Sequence, residues 1–182
     1  FSIMKLKNLL VAILTLFVVV SCKKESNQLE TNSQTTNNNS FVFTVEFTAN
    51  KTDTFSLFYT EDGSINFGEK VIWKQIQGSD NMQKVEFTLP KDVYPTQFRL
   101  DLGNSQEQET VTIKSIEFKF NNKNRLIKGA ELGAFFRADG AKCKFDHMSG
   151  IVKTNVKDGK KQGFSLYPNK SIQAIELPKL LK

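Results

Sequence analysis

The sequence predicts an all-β fold, an antiparallel β-sandwich, spanning residues 41–182. Three observations carry this. Apolar residues alternate with polar ones in short runs, the period of a strand with one buried face. Clusters of Gly, Asn, Asp and Pro cut the chain at intervals of about 12 residues, the rhythm of sandwiches and barrels. No long stretch carries apolar residues at helical spacing, and no internal repeat is visible.

The chain opens differently. Lys5 and Lys7 precede an apolar run, Leu9 to Val20, that ends in Ser21-Cys22. A basic start, a short apolar middle and a small residue at the exit make an export signal. The run holds 12 residues, against roughly 20 for a membrane-spanning helix. Met4 is the expected start, with residues 1–3 read from an upstream frame. Val19-Val20-Ser21-Cys22 resembles the lipobox of bacterial lipoproteins, where the Cys becomes the lipidated first residue. That resemblance implies a signal peptide over 1–21, acylation of Cys22 and a lipid anchor in the membrane. Lys23, standing where Asp would mark retention, implies the outer membrane, on its periplasmic or surface face. Residues 22–40 hold one Leu and no aromatic. They cannot repay the entropy of ordering, so they read as a disordered tether.

The strands follow in order. Phe41, Phe43, Val45, Phe47 and Ala49 alternate against Thr44, Glu46 and Thr48, the clearest strand in the chain. After a turn at 50–53, Phe55, Leu57 and Tyr59 repeat the pattern, with Phe58 on the opposite face. Glu61-Asp62-Gly63-Ser64 is a loop. Val71-Ile72-Trp73 lies inside a third strand, and Gly78 to Asn81 reads as a turn. Val85, Phe87 and Leu89 form a fourth, stopped by Pro90. Phe98, Leu100 and Leu102 form a fifth, stopped by Gly103. Val111 and Ile113 are out of phase with Ile116, Phe118 and Phe120. One strand cannot bury both sets unless a bulge near Lys114-Ser115 restores the phase. Asn121 to Asn124 turns the chain. Leu132 to Arg137, Lys142 to Phe145, Ile151-Val152 and Phe164 to Leu166 are shorter strands. The tail, Ile172 to Leu181, fits a last strand or a short helix.

Charge is uneven. Residues 41–120 carry 12 acids and 8 bases, whereas 121–182 carry 13 bases and 5 acids. The basic half is either a Lys-rich solvated surface or a face toward anionic lipid or polysaccharide. An exported chain without a zinc-finger, RNP-like or helix-turn-helix pattern excludes nucleic acid as a partner. The chain has two cysteines. With Cys22 acylated, Cys143 has no partner, and a buried thiol is expected.

Catalysis finds no footing. The single histidine, His147, sits in the turn-like Phe145 to Gly150, and no Gly-x-Ser-x-Gly elbow occurs. Zinc would need more ligands than remain. No phosphate-binding loop or dinucleotide fingerprint is present. The expectation is a protein that is not an enzyme and has no cofactor. Calcium, bound by loop oxygens, is the remaining ion, with Glu61 and Asp62 as candidate ligands. The same acids in ordinary turns need no ion.

Phe98-Arg99-Leu100-Asp101-Leu102-Gly103, followed by Val111 to Ile116, resembles jelly-roll sandwiches of the galactose-binding-like and carbohydrate-binding-module type. Phe55 to Tyr59 with Thr60 to Gly63 resembles the strand and loop that open such domains. The resemblance covers about residues 41–136. It implies a jelly-roll-like domain that binds a glycan. On the residues themselves, alternation turns Arg99 and Asp101 outward, about 7 Å apart along the strand, where they can hold each other as a surface ion pair or hold a polar ligand. Trp73 adds an apolar stacking surface. The expected ligand site is therefore Trp73, Arg99, Asp101 and Tyr59, beside the Glu61-Asp62 loop. The alternative is a structural or assembly lipoprotein that contacts another envelope protein.

Overall fold

The computed structural model describes residues 39–182. The signal at 1–21, Cys22 and the tether up to residue 38 lie outside the described residues.

The described chain is an all-β sandwich of two antiparallel sheets. The first has strand order β4-β1-β6-β10-β9, with β7 also on β6. Its strands are β1 Phe41–Ala49, β4 Ser79–Thr88, β6 Thr110–Phe120, β7 Lys123–Lys128, β9 Cys143–Asp146 and β10 Ile151–Thr154. The second has order β3-β2-β5-β13-β8. It is built of β2 Asp53–Thr60, β3 Val71–Ile76, β5 Gln97–Asp101, β8 Phe136–Ala138 and β13 Ser165–Pro168. A two-stranded hairpin, β11 Val156–Lys157 and β12 Lys160–Lys161, stands apart from both.

Alternation explains the packing. Phe41, Phe43, Val45 and Phe47 of β1 are buried, as are Phe55, Leu57 and Tyr59 of β2 and Phe98 and Leu100 of β5. These inner faces interlock through aromatic rings. Phe43 meets Phe118 at 4.9 Å and Phe98 at 5.1 Å, and Phe47 meets Phe55 at 4.7 Å. Each fully buried ring stabilises the fold by about 1.5–3 kcal/mol relative to exposure. Cys143 is buried and unbridged. Its Sγ donates to Ser165 O at 3.4 Å, and burial raises the thiol above its ordinary value.

The bulge expected near Lys114-Ser115 is there. Glu46 of β1 opposes Ser115 and Phe47 opposes Ile113, so Lys114 is the extra residue. Both phases of β6 are thereby buried on one face.

Three segments depart from expectation, and the tail takes the helical of its two expected forms. The turn read over Gly78 to Asn81 is shorter, because β4 already begins at Ser79. β7 follows a two-residue hairpin at Asn121-Asn122, and only Ile127 in it is buried, so alternation had little to mark. Leu132 to Arg137 is not one strand. Residues Glu131–Phe135 wind into a short helix, α1, which drops Leu132 into the core and sets Glu131 2.9 Å from Arg125. The tail is helical: a π-turn at Ile172–Glu176 runs into α2, Leu177–Leu181. The wide turn brings Ile172, Leu177 and Leu180 onto one buried face. No helix among the described residues is long and apolar enough to cross a membrane.

Candidate functional site

The outward face of the second sheet carries the candidate site. On β2 the residues between the core positions are Thr54, Ser56 and Phe58. Their cross-strand partners form two rows. Ser56 lies between Trp73 of β3 and Asp101 of β5, and Asp101 in turn pairs with Ser165 of β13. Trp73, Ser56, Asp101 and Ser165 thus stand side by side across four strands. Three strand spacings make that row about 14 Å long. In the next row Phe58 lies between Val71 and Arg99.

The second row positions the first. Arg99 Nε and Nη2 donate to the two Asp101 carboxylate oxygens, each at 2.9 Å. The guanidinium carbon lies 4.1 Å from the centre of the Phe58 ring and 5.5 Å from that of Phe67. Phe58 then meets the Trp73 indole edge-on at 5.7 Å. Burial disfavours the Arg99 charge, yet the Asp101 carboxylate outweighs it and lifts the guanidinium above its ordinary value. Trp73 stands on the edge strand and is 58% exposed.

Two loops wall the row into a pocket of about 240 Å³. One runs from β5 through Gly103 and Asn104; the other enters β13 through Gln162, Gly163 and Phe164. The first is pinned by Asp53, whose carboxylate accepts from Ser105 N at 2.9 Å and Asn104 N at 3.2 Å. Gly103 is required there: it has φ of 96°, and a Cβ would collide with the Asp53 carboxylate. Lys142 closes one end, its Nζ donating to Ser165 Oγ at 3.1 Å. At the floor, Ser56 is 1% exposed. Its Oγ is the one buried side-chain N or O atom among the described residues without a hydrogen-bond partner. Such an orphan costs about 1–3 kcal/mol.

Chemically, the pocket offers hydroxyls, two side-chain amides and one ammonium beside an exposed indole. His147 lies in the β9–β10 turn and does not line this pocket. The neighbouring Asp146 carboxylate is used there by Ser149 Oγ at 2.7 Å and Met148 N at 3.1 Å, and these bonds hold it below its ordinary value.

Of the expected site residues, Trp73, Arg99 and Asp101 share one face. Arg99 and Asp101 hold each other, one of the two arrangements their shared face allows. Tyr59 is a correction: it lies one register position from Phe58 on the inner face and is buried in the core. Glu61 and Asp62, the calcium candidates, serve hydrogen bonds and an ion pair of their own loop region. Glu61 accepts from Tyr94 N at 3.1 Å and Lys70 Nζ at 3.5 Å. Asp62 accepts from Ser64 N at 3.0 Å, and its bonds to Ser64 hold its carboxyl below the usual range. Among the described residues no three His, Cys, Asp or Glu side chains gather to hold a metal. Sequence reasoning missed Ser56, Ser165 and Lys142. The first two were marked as outward by their place between core residues; Lys142 needed the strand order.

No known protein family, curated protein or solved structure matches the chain.

Proposed function

We propose that this protein is a non-catalytic glycan-binding lipoprotein of the outer membrane, held by lipid on Cys22 and reaching its ligand on the outward face of the second sheet. The observation that carries the binding reading is the exposed Trp73 indole at the rim of a pocket floored by Ser56, Asp101 and Ser165. A sugar ring has an apolar face and a polar edge. An indole suits the first, and a row of hydroxyl and carboxylate oxygens suits the second. The pocket is smaller than the roughly 300–1,000 Å³ typical of drug-sized ligands, so it fits a single ring at a time. The anchoring reading rests on Lys5, Lys7, the apolar run and Val19-Val20-Ser21-Cys22.

Two substitutions test the proposal. Trp73→Ala should abolish binding on a glycan array while shifting the melting temperature little, because the ring is mostly solvated. Unchanged binding would remove the site from this face. Capture of an envelope protein through Trp73, with no glycan bound, would favour the assembly reading instead. Cys22→Ala should leave an unprocessed or soluble chain; normal processing and membrane fractionation would end the lipoprotein reading.

A further inference from the structure

The pocket's charges are not balanced, and that imbalance selects among sugars. Two charged side chains line it, Asp101 and Lys142. Asp101 is committed to Arg99 through both carboxylate oxygens. Lys142 is half-buried and forms no ion pair among the described residues. Its Nζ spends one of three protons on Ser165 Oγ. The Ser165 hydroxyl, accepting that bond, keeps its own proton to give. Ser56 Oγ, buried and unpartnered on the same floor, has another. The floor therefore presents one uncompensated cation with two hydroxyl donors.

The approach is basic as well. The β11–β12 hairpin feeds Gln162 and Gly163 into the pocket wall. Lys157 and Lys160 oppose each other across it, and neither is ion-paired among the described residues. Like charges placed directly opposite destabilise a hairpin, so this arrangement needs another rationale, and attraction of an anion supplies one.

We propose that the site selects a sugar bearing a carboxylate, with the carboxylate on Lys142 Nζ and the Ser165 hydroxyl, a ring oxygen toward the Ser56 hydroxyl, and the ring against Trp73. This rests on the glycan reading above and narrows it to acidic glycans. Charge-assisted hydrogen bonds to a carboxylate are about twice as strong as neutral ones, so the preference should be large.

The test uses the purified full-length protein in detergent with matched probes: oligosaccharides of galacturonic, glucuronic and mannuronic acid, and the methyl esters of each. Esterification removes the charge and keeps the ring. At least one acid should bind tenfold or more tightly than its ester, with the difference shrinking in 0.5 M salt. K142Q should bring acid and ester to equal affinity, whatever it does to the affinity of the ester itself; K142R should keep the preference. Equal binding of acid and ester by the parent, or a preference that survives K142Q, would overturn the acidic selection and leave the glycan reading standing. Binding of neutral saccharides alone would do the same. Failure of every saccharide would overturn both readings, and so would a short acidic peptide binding in their place.

Discussion

Ser56 and Ser165 flank Asp101 on the same sheet face, yet the same substitution should move stability in opposite directions. Ser56 Oγ is buried without a partner. Ser56→Ala keeps the Cβ and removes the desolvated hydroxyl, so most of an orphan's cost of about 1–3 kcal/mol is recovered. The small void left by the oxygen offsets part of that gain. The expected net gain is about 1 kcal/mol, or roughly 3–4 °C in melting temperature for a domain of this size. Ser165 Oγ accepts from Lys142 Nζ at 3.1 Å. Ser165→Ala leaves that half-buried ammonium with one partner fewer and should cost about 1 kcal/mol or more, since the bond is to a charged group. Urea denaturation of both variants against the parent, with the slope checked for constancy, reads the two differences. Both should weaken saccharide binding. A loss of about 1 kcal/mol or more in Ser56→Ala would show that the hydroxyl is satisfied in the folded protein, and the pocket floor would then be a packed wall.

Three further outcomes are expected. Arg99→Ala should lower stability by about 1–3 kcal/mol, through the cation–π contact and a partly buried carboxylate left alone, and should weaken binding although the guanidinium touches no ligand; unaltered binding would detach the second row from the first. Removing residues 172–182 exposes the core beneath Ile172, Leu177 and Leu180; at about 1.5–3 kcal/mol each this approaches the whole stability of a domain, so a cooperative melt near the parent's would contradict the packing. Glu46, Asp62, Glu131 and Asp146 all have carboxyls held below their ordinary values of 4.5 or 3.8; such groups contribute stability above their unfolded values and lose it as pH falls through the lower folded ones, so the urea midpoint should decline below about pH 4.5, and a midpoint flat to pH 3 would refute this.

The core was legible because period-two alternation is a statement about burial, and every strand with a full alternating face was read from it. The bulge at Lys114 was legible for the same reason: a phase error in an otherwise clean pattern has few remedies. β7 was not, since Lys123, Asn124, Arg125 and Lys128 hide a strand that buries one Ile. α1 was not, because five residues cannot show a helical period. Within the site, alternation placed Arg99, Asp101 and Phe58 outward but could not say which strands would lie beside them. That the Trp73 row ends at Ser165, more than 60 residues beyond Asp101 in the chain, is set by the order β3-β2-β5-β13, and no local pattern encodes it. Tyr59 shows the converse: the alternation that put it in the core outranked its chemical suitability as a binder.

The Arg99–Asp101 pair decides what kind of site this is. Had the two groups stood free, each would meet a ligand as a mobile, hydrated charge, and binding would have to order both. Paired at 2.9 Å, they are already ordered, and Arg99 in turn holds Phe58, which holds the Trp73 ring edge-on. The ordering was completed on folding, so less of it opposes association. A Lys at position 99 would keep the charge but lose the planar fork that grips both carboxylate oxygens and lies flat on Phe58. The exposed indole is thereby presented in one orientation by residues that need not touch the proposed ligand, and under the proposed acidic selection the discriminating charge is Lys142, the one charged group of the pocket without an ion pair among the described residues.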